Sequence, residues 1–123
     1  MESNKGLLCK IRDLQQEIRT FEHEFETQFG ICMNEGMAIC SIEQAGSLTS
    51  GELVRLLGLT NSNTSKILKS IEQKGLVKRL IGKSDKRQMN FILTEAGKET
   101  IRRILSGELQ LPEGLDKIIR NNP

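Results

Sequence analysis

The segment 49–74 constrains the fold of this chain most, because it predicts two helices joined by a glycine-containing turn. Thr49 and Glu52 have the T-x-x-E spacing of a capping box, which opens a short helix that Gly58 ends. Thr60 is the candidate N-cap of a second helix, which extends to about residue 74. A link this short between two helices predicts a helix-turn-helix pair.

The second helix is polar over most of its surface. Ile67, Leu68 and Ile71, with Thr64 one turn earlier, give it one narrow apolar face. The outward face carries amides, hydroxyls and ammonium groups: Asn61, Ser62, Asn63, Ser65, Lys66, Lys69 and Ser70. Such groups read base edges in the major groove of DNA, which admits one helix. The first six are therefore candidate DNA contacts, against the alternative of an ordinary solvated helix face.

Two predicted strands, 76–81 and 89–93, follow this helix and are joined by a charged turn. Asp85, at the tip of the turn, is expected to orient a neighbouring arginine by a charge-assisted hydrogen bond. A helix-turn-helix followed by a charged hairpin predicts a winged helix-turn-helix, although either part alone could be a solvated surface. Candidate contacts to phosphates or to an adjacent minor groove are Lys83, Ser84, Lys86 and Arg87.

The basic residues are concentrated in this same region. The chain of 123 residues has a formal net charge of +2, but residues 60–90 carry eight Lys/Arg against two Asp/Glu. Residues 1–59 carry five against nine, and residues 91–123 carry five of each. A positive field confined to one segment favours a polyanionic partner, because phosphate contacts supply much of the affinity for nucleic acid.

The flanking segments predict further helices. A second apolar helix, expected in the core, includes Met33, Met37, Ile39, Cys40 and Ile42. Two later helices begin near Thr94 and Pro112. An apolar stripe on a long first helix packs either within the chain or against a partner subunit. The stripe residues, at spacings of three and four, are Leu7, Ile11, Leu14, Ile18, Phe21 and Phe25.

The stretch LTSGELVRLLGLTNSNTSKILKSIEQKGLVKRLIGKSDKRQMNFILTEAG resembles the winged-helix core of the MarR family of bacterial transcription regulators. The likeness includes the Asp-x-Arg of the hairpin, Asp85 and Arg87, and the L-T-x-x-G that follows it, at Leu93, Thr94 and Gly97. The resemblance implies a mainly α fold with a small β-hairpin wing, in which dimerisation helices at both ends flank the DNA-binding core. By position, five of the candidate contacts match the family's reading helix: Ser62, Asn63, Ser65, Lys66 and Lys69.

The resemblance also implies a domain organisation and partners. We expect a single domain, 1–123, with the winged helix-turn-helix at 31–94 and dimerisation helices at 1–29 and 95–120. The family implies a homodimer on double-stranded DNA, usually a repressor whose affinity falls when a small apolar or aromatic effector binds. By analogy, such an effector would bind near Met33, Met37 and the stripe of the first helix, although these residues serve equally well as plain core.

Two alternatives concern the cysteines and the wing. Cys9, near the start of the first helix, is a candidate redox site, as in the peroxide-sensing branch of the family. The simpler interpretation is that Cys9, Cys32 and Cys40 are free, buried thiols. A winged helix used only for protein contact is the other alternative.

Neither catalysis nor a membrane location is expected. His23 has no companion Ser, Cys or His at a motif spacing, so the sequence predicts no enzyme, no metal site and no cofactor. No stretch approaches the ~20 apolar residues of a membrane span, and the first ten residues lack a signal-peptide core. The sequence therefore predicts a cytoplasmic protein without a membrane partner.

Overall fold

The computed structural model describes residues 4–81, 89–107 and 109–120. The fold is mainly helical with a small antiparallel sheet, as the sequence predicts. In chain order the elements are α1 (Asn4–Phe29), α2 (Met33–Ala45), β1 (Leu48–Thr49), α3 (Ser50–Leu57), α4 (Asn61–Gln73), β2 (Val77–Ile81), β3 (Met89–Leu93), α5 (Glu95–Ser106) and α6 (Glu113–Arg120).

The sheet has β3 in the middle, between β1 and β2, and antiparallel to both. β2 pairs with β3 from Val77 opposite Leu93 to Ile81 opposite Met89, which confirms the predicted hairpin strands. β1 adds two residues to the other edge of β3. The sequence predicts only an extended link at 47–49, because two residues are too few for alternation to signal a strand.

The chain forms two compact units, one of α1 with α6 and the other, Ile31–Gly107, of α2 to α5 with the sheet. In the second unit Ile39 and Ile42 of α2, Leu53 of α3 and Ile71 of α4 are fully buried. Burying an aliphatic side chain of this size contributes roughly 1.5–3 kcal/mol relative to leaving it in water. Apolar burial therefore holds the inner face of α4 against α2 and α3.

Thr94 ties the start of α5 to the turn that ends α4. Its hydroxyl accepts a hydrogen bond from Gly97 N at 3.1 Å and donates one to the Gly75 carbonyl at 2.6 Å. Its backbone N–H donates to the Leu76 carbonyl at 3.0 Å. Gly97 is buried against the same carbonyl of Leu76, where a Cβ atom would clash with its oxygen. The L-T-x-x-G motif thus has a packing explanation.

The unit of α1 and α6 is joined by a carboxylate. Glu17 of α1 accepts hydrogen bonds from the backbone N–H groups of Gly114 and Leu115, at 2.8 and 3.3 Å. These donors lie in the first turn of α6, where N–H groups have no partner within the helix. Large apolar side chains on both helices remain exposed: Leu7, Leu8, Ile11, Ile18, Ile118 and Ile119.

The predicted segment 95–120 divides between the two units. α5 packs within Ile31–Gly107, whereas α6 packs with α1. The single-domain organisation and the dimerisation roles of 1–29 and 95–120 remain predictions.

The face that α2 buries agrees with the predicted one at Ile39 and Ile42 but not at Met37. Ala38, Ile39 and Ile42 are buried, but Met37 is 48% exposed and Cys40 is half-buried. Burial at 35, 38, 39 and 42 follows the helical repeat, which leaves Met37 on the far side. The placement of Met37 in the core is therefore wrong.

Candidate nucleic-acid interface

The helix-turn-helix is formed by α3, a three-residue turn and α4. The predicted capping box is confirmed, since Glu52 N donates to the Thr49 hydroxyl at 3.1 Å and Thr49 N donates to the Glu52 carboxylate at 2.9 Å. The hydrogen bonds from Thr49 hold the pKa of Glu52 below its ordinary value. Gly58 ends α3 with φ +66°, a left-handed conformation that favours glycine.

α4 has one buried face and one polar face. The predicted cap is confirmed, because Asn63 N donates to the Thr60 hydroxyl at 3.0 Å. Thr64, Leu68 and Ile71 are buried, as predicted. All six candidate reading residues are exposed on the remaining surface: Asn61, Ser62, Asn63, Ser65, Lys66 and Lys69.

These six side chains make no hydrogen bond or ion pair with the protein, as far as the described residues extend. Other cations of the same region are engaged: Lys74 with Glu35 at 2.9 Å and Arg79 with Glu72 at 2.9 Å. Within the part of the chain that the structure describes, the donors and acceptors of these six side chains are therefore free for an external ligand.

Ser70 differs from the prediction that it faces outward. Its hydroxyl donates to the Glu35 carboxylate of α2 at 2.6 Å and is partly buried. The sequence offered no local sign of this bond, because the two residues are 35 positions apart.

A shallow cavity of about 250 Å³ lies beside the polar face of α4. Arg79 of β2 crosses it with its guanidinium carbon 5.7 Å from the centroid of the Phe91 ring, a cation–π distance. Two hydrogen-bonded nitrogens of Arg79 fix this position against Glu72. The residues that line this cavity come from α3, α4, β2 and β3, so no local sequence pattern indicates it: Ser50, Ser65, Leu68, Lys69, Arg79, Met89 and Phe91.

The predicted wing contacts lie outside the described residues. They are Lys83, Ser84, Asp85, Lys86 and Arg87. The structure describes the strands on either side, which pair as far as Ile81 opposite Met89.

The cysteines are free but not buried. Cys9 is exposed, and Cys32 and Cys40 are half-buried, so the prediction of buried thiols is wrong. Cys32 is the N-cap of α2 and not a helical core position, which explains its partial exposure. Burial raises the pKa of Cys32 and of Cys40, with the nearby Glu43 adding to the effect on Cys40. A raised pKa reduces the fraction of Cys32 and of Cys40 that is present as thiolate at neutral pH.

A second cavity, of about 490 Å³, lies within the unit of α1 and α6. Its lining is mostly polar and includes neither Met33 nor Met37, the residues expected near an effector. The residues that line it are His23, Glu24, Thr27, Gln28, Leu109 and Gln110.

No three His, Cys, Asp or Glu side chains in residues 4–81, 89–107 and 109–120 lie close enough together to hold a metal ion. None of the helices in that part of the chain combines the length and apolar character needed to cross a membrane.

Comparison with known proteins identifies a family. A model of the MarR family matches residues 31–89. The HTH-type transcriptional regulator PetP of Rhodobacter capsulatus is 35% identical over 60 residues, which cover 49% of this chain and 36% of PetP. The match thus spans little more than a third of that relative.

Solved structures share the fold. Wild-type MarR from E. coli, in its apo form, has a TM-score of 0.73 at 23% identity, and the aligned region covers 100% of this chain and 87% of the MarR chain. Reduced AbfR bound to DNA has a TM-score of 0.71 at 25% identity, and the aligned region covers 83% of this chain and 75% of the AbfR chain. The family match begins two residues before α2 and ends at the first residue of β3, so it includes the helix-turn-helix and the first strand of the hairpin, β2. The segment 31–89 therefore matches the MarR family.

Proposed function

We propose that this chain is a sequence-specific regulator of transcription that binds double-stranded DNA with α4 in the major groove. The observation that carries the proposal is the exposed face of α4, where six polar side chains have no partner in the described protein. A helix anchored by an apolar face and offering unengaged amides, hydroxyls and ammonium groups fits the groove in size and in chemistry. The AbfR structure, at 25% identity, is a complex with DNA and supports the same partner.

The proposal assigns two kinds of contact. Base edges are read by the exposed face of α4, with Asn63 and Lys66 in its first two turns as the central pair. Phosphates or an adjacent minor groove are contacted by the wing, where Asp85 orients Arg87. The remaining wing contacts are Lys83, Ser84 and Lys86. On α4, Asn61, Ser62 and Ser65 are the remaining base contacts, and Lys69 contacts a phosphate.

The functional form in this proposal is a homodimer. The exposed apolar residues of α1 and α6 support it, because an exposed apolar stripe on a long helix is suited to pack against a second copy. A dimer presents two α4 helices to DNA. In this proposal the protein is a cytoplasmic repressor, which a small effector releases from DNA. The cavity of the unit that holds α1 is lined by polar side chains and Leu109, so an effector that binds there would combine hydrogen-bonding groups with an apolar part.

Selection of bound sequences from a random duplex pool, at two salt concentrations, tests this function. Recovery of an inverted repeat with half-sites about one helical turn apart is expected from a dimer that reads bases. Absence of enrichment, together with no binding at low salt, would overturn the proposal and favour the use of the winged helix for protein contact.

An exposed thiol supports a second candidate function, regulation by oxidation of Cys9. Oxidation requires access, and Cys9 is exposed whereas Cys32 and Cys40 are half-buried. Treatment with peroxide should then release DNA from the wild type and from Cys40→Ser, but not from Cys9→Ser. Equal release from Cys9→Ser would exclude Cys9 as the sensor.

A further inference from the structure

Glu35 is a buried carboxylate in the first turn of α2, only 3% exposed. Three groups donate to it: Cys32 N at 2.8 Å, the Ser70 hydroxyl at 2.6 Å, and Lys74 Nζ at 2.9 and 3.0 Å from its two oxygens. Cys32 belongs to the start of α2, whereas Ser70 and Lys74 belong to the end of α4 and its C-cap. One carboxylate therefore joins the start of α2 to the end of α4, the helix proposed to read DNA.

Stability alone is a poor explanation for this cluster. A buried ion pair gains little over apolar residues of the same size, because removing both charges from water is costly. The specific effect of this cluster is to fix the geometry of α4. Ser70 and Lys74 are four residues apart and lie on one side of α4, so bonds to both fix the rotation of the helix as well as its position.

Rotation of α4 matters for reading bases. Side-chain tips on a helix lie roughly 5–6 Å from its axis, so a rotation of about 20° moves them by about 2 Å. A displacement of that size breaks a hydrogen bond, whose donor and acceptor atoms must lie within about 3.2 Å. The exposed residues of α4 can keep their register on base edges only if the inner side is held.

We propose that Glu35 is a positioning residue for DNA recognition, which holds α4 through Ser70 and Lys74 and does not itself touch DNA. The inference rests on the proposed function and adds two statements to it. Glu35 is required for discrimination between sequences. Lys74, whose ammonium group is engaged by Glu35, is not a phosphate contact, in contrast to Lys69 on the exposed face of the same helix.

The test compares Glu35→Gln, Lys74→Met and Lys69→Met with the wild type. Glu35→Gln replaces a carboxylate oxygen by an NH₂ group, which repels the ammonium group of Lys74 because both donate. Affinities are measured over a salt series for the duplex recovered by selection and for a random duplex. Circular dichroism at the assay temperature establishes that each variant is folded, and Ser70→Ala serves in place of Glu35→Gln if that variant is unfolded.

The matched pair of lysines separates positioning from contact. Lys69→Met should lower the slope of log affinity against log salt by about one for both duplexes, as the loss of one phosphate contact does. Lys74→Met should leave the slope unchanged and lower the ratio of specific to random affinity about tenfold. Glu35→Gln should likewise leave the slope unchanged and lower this ratio about tenfold. The double variant should lower the ratio no further than either single variant, because both substitutions remove the same interaction between Glu35 and Lys74.

Two results would overturn the inference while the proposed function stands. One is a slope lowered by about one in Lys74→Met, which would make it a phosphate contact. The other is a wild-type specificity ratio in folded Glu35→Gln and Lys74→Met, which would reduce the cluster to a structural role. Failure of the wild type to bind either duplex at low salt would overturn the proposed function itself, and this inference with it.

Discussion

At the scale of single residues, Gly97 shows how tightly the end of the helix-turn-helix is packed against α5. A Cβ atom at this position would clash with the Leu76 carbonyl oxygen and lie 3.4 Å from Leu93 Cβ. The obstruction is backbone, which cannot rotate away as a side chain can.

Gly97→Ala should therefore lower the free energy of unfolding by about 1–3 kcal/mol, the usual cost of overpacking. Gly51→Ala is the matched control, because a Cβ atom there meets no atom within 4 Å and its helix gains from alanine. Urea unfolding of both variants measures the difference. Equal stability of the two would contradict the close approach of Gly97 and Leu76.

Glu35 predicts a pH dependence of stability as well as a role in recognition. Burial alone would raise the pKa of Glu35, but hydrogen bonds from Ser70 and Cys32 and the ammonium group of Lys74 outweigh burial and lower it. A carboxylate whose pKa is lower in the folded chain stabilises the fold above its unfolded value, about 4.3. That contribution is lost as the pH falls through the lower, folded value.

The stability difference between the wild type and Glu35→Gln should consequently be largest above about pH 5 and shrink at more acid pH. Denaturant unfolding at a series of pH values measures it. A difference that is constant from pH 7 to pH 3 would show that the ionised form of Glu35 has no special stabilisation.

At the scale of elements, the helix ends were predictable and the long-range contacts were not. Thr49, Thr60 and Thr94 each cap the helix that follows, and each was recognisable locally as a Thr at the start of a helical pattern, Thr49 also by its spacing from Glu52. The bond between Ser70 and Glu35 joins residues far apart in sequence, so its two ends carry no local signal. Cys32 at an N-cap also hid the capping pair it forms with Glu35, because cysteine is not among the usual N-cap residues.

α6 depends on α1 for the cap of its first turn. Replacing Glu17 with alanine removes the acceptor of two backbone N–H groups of α6, at 2.8 and 3.3 Å. A hydrogen bond to a charged group contributes roughly 1.5–3 kcal/mol, so exchange of the Gly114 and Leu115 amides should accelerate at least tenfold. Hydrogen exchange with Glu22→Ala as control measures this, and unchanged protection in Glu17→Ala would contradict the cap.

At the scale of the whole molecule, the charge pattern and the fold class followed from the sequence, but the division into units did not. α5 packs with the winged helix-turn-helix whereas α6 packs with α1, a division that depends on contacts between residues far apart in sequence. The charged turn of the hairpin was placed between the correct strands, which pair as β2 and β3.

The apolar stripe of α1 predicts dimerisation at this scale. Ile11 and Ile18 are 44% and 41% exposed, so Ile11→Glu and Ile18→Glu should leave the helix content unchanged and weaken the dimer. Sedimentation equilibrium measures the dimer, with Gln16→Glu, off the stripe on the same helix, as control. A dimer of wild-type strength in both stripe variants would exclude this face from the interface.

The most direct test of the central claim, that α4 reads bases, is a repeat of the duplex selection with Asn61, Asn63 and Lys66 replaced together by alanine. All three side chains are exposed, so the variant should fold as the wild type does. The account predicts that the enriched sequence disappears while weak, salt-sensitive binding to any duplex persists through the wing. Recovery of the same inverted repeat by the triple variant would contradict the account, because some other element would then be reading the DNA.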